Sequence, residues 1–211
     1  TCRDWSSDVC SSDQIEVFLS TEYLSAFFVI IISFYLSASA ASAIAGNIEK
    51  KNIDFDLSQP ISRTAYALSQ ISVTYFYSAL LVIGNTLLIW LLCHAYKVEI
   101  NNSGLIAFAI TAIAFFWAII GISFFLSSIL KNKLAVTLAT VAFTLASYVF
   151  LSLTNIIDKI KDLKFLSIYQ LYTPDKLLGS GEIIWKDITI LLFISAVGLL
   201  AALEIFNKKD L

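Results

Sequence analysis

The chain has 211 residues, 58% of them hydrophobic and only 14% charged, with a mean hydropathy of +0.82 and a formal net charge of −2 at pH 7. An average soluble domain carries about 25% charged residues, and a soluble core of this size cannot hide so much apolar surface. The composition therefore excludes an ordinary soluble protein and points to an all-α integral membrane protein.

Residues 1–13, TCRDWSSDVCSSD, are polar and hold two of the three cysteines. Residues 3–13 resemble translated sequencing adapter and no targeting segment, since a secretory signal would be basic and then apolar. The expectation is that 1–13 is a non-native segment without a role, and that 14–211 is a partial transmembrane domain whose N-terminal part is missing. Without residues 1–13 the basic count falls from 14 to 13 and the acidic count from 16 to 13, so the net charge becomes zero. Cys93 is then the sole cysteine, which leaves no intrachain disulfide or cysteine-rich metal site.

Four stretches contain no Asp, Glu, Lys or Arg: 23–48, 64–96, 100–130 and 134–157. Each is long enough to cross a bilayer, which takes about 20 apolar residues, and none alternates as a barrel strand would. With a fifth apolar run, broken only by Glu204, the predicted spans are about 23–46, 65–93, 105–130, 134–154 and 188–206. The first ends in the small-residue run SASAASAIAG. There Ser37, Ala41 and Ala45 recur on one helix face, a stripe that lets backbones approach closely in lipid. This stripe is the expected helix-packing seam and, in a dimer, the expected surface between two copies.

Between the first two spans, NIEKKNIDFDLSQPISR holds a predicted helix of its own. Asn52 is the N-cap, Asp54 lies in the first turn where the helix dipole favours acids, and Pro60 ends the helix. Ile53, Leu57 and Ile61 line one side of a short amphipathic rod suited to the membrane surface or to a partner. Only KNK separates the third and fourth spans, which forces an antiparallel hairpin. A longer link, 155–187, carries five lysines against five acids, with Ile156, Ile157, Ile160, Leu163 and Leu166 giving part of it an amphipathic pattern. Counting Lys50, Lys51, Arg63, Lys131, Lys133, Lys208 and Lys209 on one side against Lys97 and the five link lysines on the other gives seven to six. From so even a balance the positive-inside rule draws no orientation.

The segment after the first span resembles the ABC-2 permease pattern AGE-x-E-x-GT-x-x-x-LLS-x-P-(I/V)-S-R, matching at Gly46, Glu49, Leu57, Ser58, Pro60, Ser62 and Arg63. It departs at Asn47, usually Glu, and at Lys51 and Asn52, usually Gly-Thr. LSSIL before KNK, LSIYQLYTPDKLLGSGEI before the last span and the terminal ALEIFNKKDL extend the likeness over about 24–211. This resemblance implies a bundle with five transmembrane helices present of an expected six, and a cytoplasmic coupling helix. Glu49, Asn52, Ile53, Asp54, Phe55, Leu57, Pro60 and Arg63 would form the segment that meets a separate ABC ATPase subunit. It also implies a second permease copy or paralogue in a homo- or heterodimer, and no nucleic-acid partner. ATP and Mg would sit on the ATPase, the C-terminus in the cytoplasm of a prokaryotic cell membrane, and 155–187 outside, dipping in as an external gate.

The chain itself reads as a non-enzyme without catalytic or metal residues. None of its seven glycines opens a Gly-x4-Gly-Lys-Ser/Thr loop. The competing readings are a secondary transporter, an intramembrane protease and a non-transporting scaffold. An ion-coupled carrier needs ionisable groups at membrane depth, whereas Glu204 and His94 lie near helix ends. A protease would need a Ser–His, paired-Asp or zinc constellation, but a single histidine cannot make the zinc motif, no two aspartates lie inside the spans, and the serines lack a buried base.

Overall fold

The computed structural model describes residues 19–49, 63–97, 101–130, 132–156, 163–165 and 167–208, and every regular element among them is helical. Helix α1 (Phe28–Ala41) is extended by π-helical turns at Leu19–Phe27 and Ser42–Gly46 and closes in a single α turn, Asn47–Glu49. Then follow α2 (Arg63–Ala95), α3 (Asn102–Ile129), α4 (Lys133–Ile156), the short α5 (Pro174–Ser180) and α6 (Trp185–Lys208). Among the described residues, five stretches are long and apolar enough to span a membrane: Tyr23–Gly46, Thr64–Ala95, Asn102–Ile129, Lys133–Thr154 and Trp185–Phe206. The architecture is an all-α polytopic membrane bundle.

Local chemistry sets the helix ends. Helix α3 begins at Asn102 and not near 105, because Asn101 adopts an extended backbone and its side chain accepts the N–H groups of Ser103 and Gly104. Asn132 does the same for α4 by accepting from Ala135 N at 3.1 Å. Pro174 opens α5, where its missing N–H costs nothing, and Gly181 closes it in the left-handed region at φ +68°. Inside the spans, hydroxyls such as those of Thr74, Thr111 and Thr144 bond carbonyls of their own helix, which satisfies them without water.

Helix α3 is the core of the bundle. Of its apolar window 67% is buried, against 22% for both α2 and α6. Phe108, Phe115, Phe116, Ile119, Ile120 and Phe124 along it are fully enclosed. The outer faces of α2, α4 and α6 expose large apolar side chains, among them Phe76, Leu80, Leu138, Phe193 and Leu200. This inverted surface is suited to lipid, where close packing and not the hydrophobic effect joins helices.

The most extensive packing joins α3 and α6. A Cβ placed on Gly198 would lie 2.7 Å from both the carbonyl carbon and oxygen of Gly121, and one on Gly121 would lie 2.8 Å from the carbonyl oxygen of Ser195. The two backbones therefore touch where no side chain intervenes. Tyr75 of α2 closes this crossing, its hydroxyl 2.5 Å from Ser195 Oγ and donating to the carbonyl of Trp117 at 3.2 Å. One half-buried polar cluster thus joins α2, α3 and α6.

Candidate functional site: the base of the 50–62 segment and the opposite wedge

Residues 50–62 connect α1 to α2. Of the expected coupling residues, Asn52, Ile53, Asp54, Phe55, Leu57 and Pro60 lie outside the described residues, as do residues 1–13 and, in the link, Ile157, Ile160 and Leu166. Arg63 is the first residue of α2. What the structure describes is the base from which the segment springs.

That base is tied on three sides. Asn47 Nδ2 donates to Tyr66 Oη at 2.6 Å, joining the departure from α1 to the arrival in α2. The same amide donates to the Ala43 carbonyl at 3.1 Å. Ala45 N donates to Ser127 Oγ of α3 at 3.0 Å, within the π-helical turn; such turns are frequent at functional positions. Glu49 Oε2 accepts from Lys133 N, the first residue of α4, at 3.0 Å. A carboxylate there meets both an unpaired N–H and the positive end of the helix dipole.

Ser37, Ala41 and Ala45 are all fully buried. Ala41 and Ala45 pack with Val136 of α4 and with Leu126 and Leu130 at the end of α3. Ser37 offers its carbonyl to Ser123 Oγ, which in turn accepts from Thr140 Oγ1. The stripe therefore packs within the chain, against α3 and α4.

At the opposite end, residues 167–181 enter between the helices instead of lying over them. Ser167 Oγ donates to the Ser147 carbonyl of α4 at 2.7 Å. Tyr172 donates to the Leu24 carbonyl at 2.9 Å, and its ring stacks on Phe115 with centroids 4.8 Å apart. Phe115 lies 13 residues into α3, roughly 20 Å along the axis at 1.5 Å per residue. Tyr169 meets Phe115 edge-on at 5.2 Å and Tyr148 of α4 at 5.4 Å. Helix α5 seats its backbone on α3, since a Cβ at Gly104 would come within 2.6 Å of the Leu178 carbonyl oxygen. The result is an aromatic wedge between α1, α3 and α4.

The other ionisable candidates sit at the rim. Glu204 pairs with Lys208 at 2.6 Å, both side chains being mostly exposed, and His94 is exposed and stacks on Trp90 at 5.7 Å. Cys93 is buried. Among the described residues no three His, Cys, Asp or Glu side chains cluster as a metal site would require. Between α1 and α2 lies an apolar cleft of about 370 Å³, where Tyr23 Oη donates to Asn85 Oδ1 at 2.8 Å and the buried Asn85 Nδ2 has no partner.

Two features of the site escaped the sequence reading. The Gly121–Gly198 crossing was hidden because a glycine within an apolar run does not say which helix it faces. The wedge was visible as a long link, but nothing in its spacing marks Tyr169 and Tyr172 as inward-facing.

Compared with known proteins, residues 3–207 match the family profile described as "Multidrug efflux system permease Rv1217c, C-terminal domain". The matched stretch begins within the adapter-like residues 3–13 and gives no support to reading them as foreign. No curated protein and no solved structure matches the chain.

Proposed function

This chain belongs to the family of the C-terminal domain of multidrug efflux system permease Rv1217c, and on that premise we propose that it is the membrane subunit of an ATP-driven exporter of the ABC-2 type. The observation that carries the reading is the family match over nearly the whole chain. The tied base of the 50–62 segment supports it, because a segment that transmits force to membrane helices needs rigid attachments at both ends.

In this reading the 50–62 segment lies in the cytoplasm and docks on a separate ABC ATPase subunit, which holds the ATP and Mg. Its acids Asp54 and Asp56 cannot cheaply enter lipid, and Ile53, Phe55 and Leu57 supply an apolar anchor ringed by charge. The α3–α4 turn and the C-terminus share that side, in a prokaryotic cell membrane. The Tyr169–Tyr172 wedge is the external gate. The family description points to drugs as the cargo, and a second permease copy or a paralogue completes the path.

The rival reading, an ion-coupled carrier, finds little support, because the Glu204 and His94 side chains are exposed at helix ends and not enclosed at membrane depth. The experiment is Leu57→Asp in the full chain. No span is altered, so membrane insertion should be unchanged, while co-purification of the ATPase and export should be lost. Export at the normal rate by this variant would sink the assignment.

A further inference from the structure

We infer that Glu49 is a positioning residue through which movement of the 50–62 segment reaches α4, and that α4 carries this movement to the wedge at the opposite end. The inference rests on the exporter reading and adds to it a route between the two sites.

Glu49 ties the root of the 50–62 segment to the start of α4. Its carboxylate, on the last residue before the segment, accepts the Lys133 N–H at 3.0 Å across 84 positions of sequence. Asn132 already caps α4 through Ala135 N, so Glu49 satisfies a different N–H at the helix start. A charge-assisted bond of this kind is stronger than a neutral one and is directional. Lys133 reinforces the tie, since its Cδ lies 3.6 Å from a Cβ built on Gly46 and its stem therefore runs along the end of α1. The start of α4 is thus held by the root of the 50–62 segment as well as by the α3–α4 turn.

Helix α4 then leads directly to the wedge. Ser147 lies 14 residues beyond Lys133, roughly 21 Å along a rigid helix. Its carbonyl accepts from Ser167 Oγ at 2.7 Å, and the next residue, Tyr148, meets Tyr169. A shift of the helix start would therefore act on the first residues of the wedge. Intermediate position alone is no evidence of coupling, so the test must measure coupling itself.

The measurement uses the reconstituted complex of full chain and ATPase, and reads the dye molecules moved per ATP hydrolysed, with a fluorescent lipophilic cation as probe. Glu49→Ala should lower that ratio about tenfold in the assembled complex, within the usual range of coupling between sites. Glu49→Gln keeps an oxygen for the Lys133 N–H and should recover most of the loss. A merely destabilised protein would lose transport and hydrolysis together, leaving the ratio unchanged. Ser167→Ala, at the other end of the route, should lower the ratio too, and the double variant should be no worse than the poorer single one. A normal ratio in Glu49→Ala or losses that simply multiply in the double variant would each overturn the inference. An unmutated chain that binds no ATPase and moves dye without ATP would bring down the exporter reading itself.

Discussion

Replacing Gly198 with alanine tests the packing account at its tightest point. The added Cβ would stand 2.7 Å from the backbone of Gly121, where ordinary contact needs 3.4–4 Å, and backbone cannot rotate aside. Helices α3 and α6 would have to part by roughly 1 Å, and overpacking of this kind costs about 1–3 kcal/mol. The hydrogen bond between Tyr75 and Ser195, at 2.5 Å on the same crossing, would stretch at the cost of a further 0.6–1.7 kcal/mol or so. Alanine returns about 0.8–1.0 kcal/mol of helix propensity, which leaves a net loss of about 1–4 kcal/mol. Reversible unfolding in mixed micelles, followed by circular dichroism, measures it. Gly84→Ala is the control, because a Cβ there meets nothing within 4 Å; it should be neutral or stabilising by up to about 1 kcal/mol. A Gly198→Ala protein as stable as the parent would refute the reasoning, as would equal losses at Gly198 and Gly84.

Three further outcomes follow from the same contacts. Tyr172→Phe keeps the stack on Phe115 but removes the bond to the Leu24 carbonyl, and should cost about 0.6–1.7 kcal/mol while raising proteolysis within 167–181. Unchanged protection would place the wedge's stability elsewhere. Glu204→Gln breaks an exposed pair with Lys208 and should leave transport within about twofold of normal; abolished transport would favour an ion-coupled carrier. Leu57→Asp should remove ATPase co-purification without reducing the amount of chain in the membrane, as judged by fractionation and blotting.

The spans were legible because the bilayer demands long charge-free runs and the sequence breaks them at Glu49–Lys51, Lys97, Lys131 and the 158–187 link. The packing partners were less legible. The spacing of Ser37, Ala41 and Ala45 announces a close-packed face, yet one stripe of small residues serves a neighbouring helix or a second chain equally well. The structure gives that face to α3 and α4. The partner of Glu49 was out of reach for a related reason, since the bond to Lys133 N joins two turns 84 residues apart and uses a backbone group that carries no sequence signal. A helix starts a few residues ahead of its apolar run where an asparagine cap acts first, as at Asn101. Asn47, which departs from the ABC-2 pattern, has a physical use in this chain, because its amide spans the gap to Tyr66.

An ATP-driven exporter and an ion-coupled carrier differ in the source of energy for transport. Proteoliposomes containing the chain together with its co-purified ATPase should accumulate a fluorescent lipophilic cation when ATP is supplied on the side of the 50–62 segment. Uptake should stop when a non-hydrolysable analogue replaces ATP, and should continue when an ionophore abolishes the proton gradient. Dye movement that ignores ATP and collapses with the ionophore would contradict the account and make the protein an ion-coupled carrier.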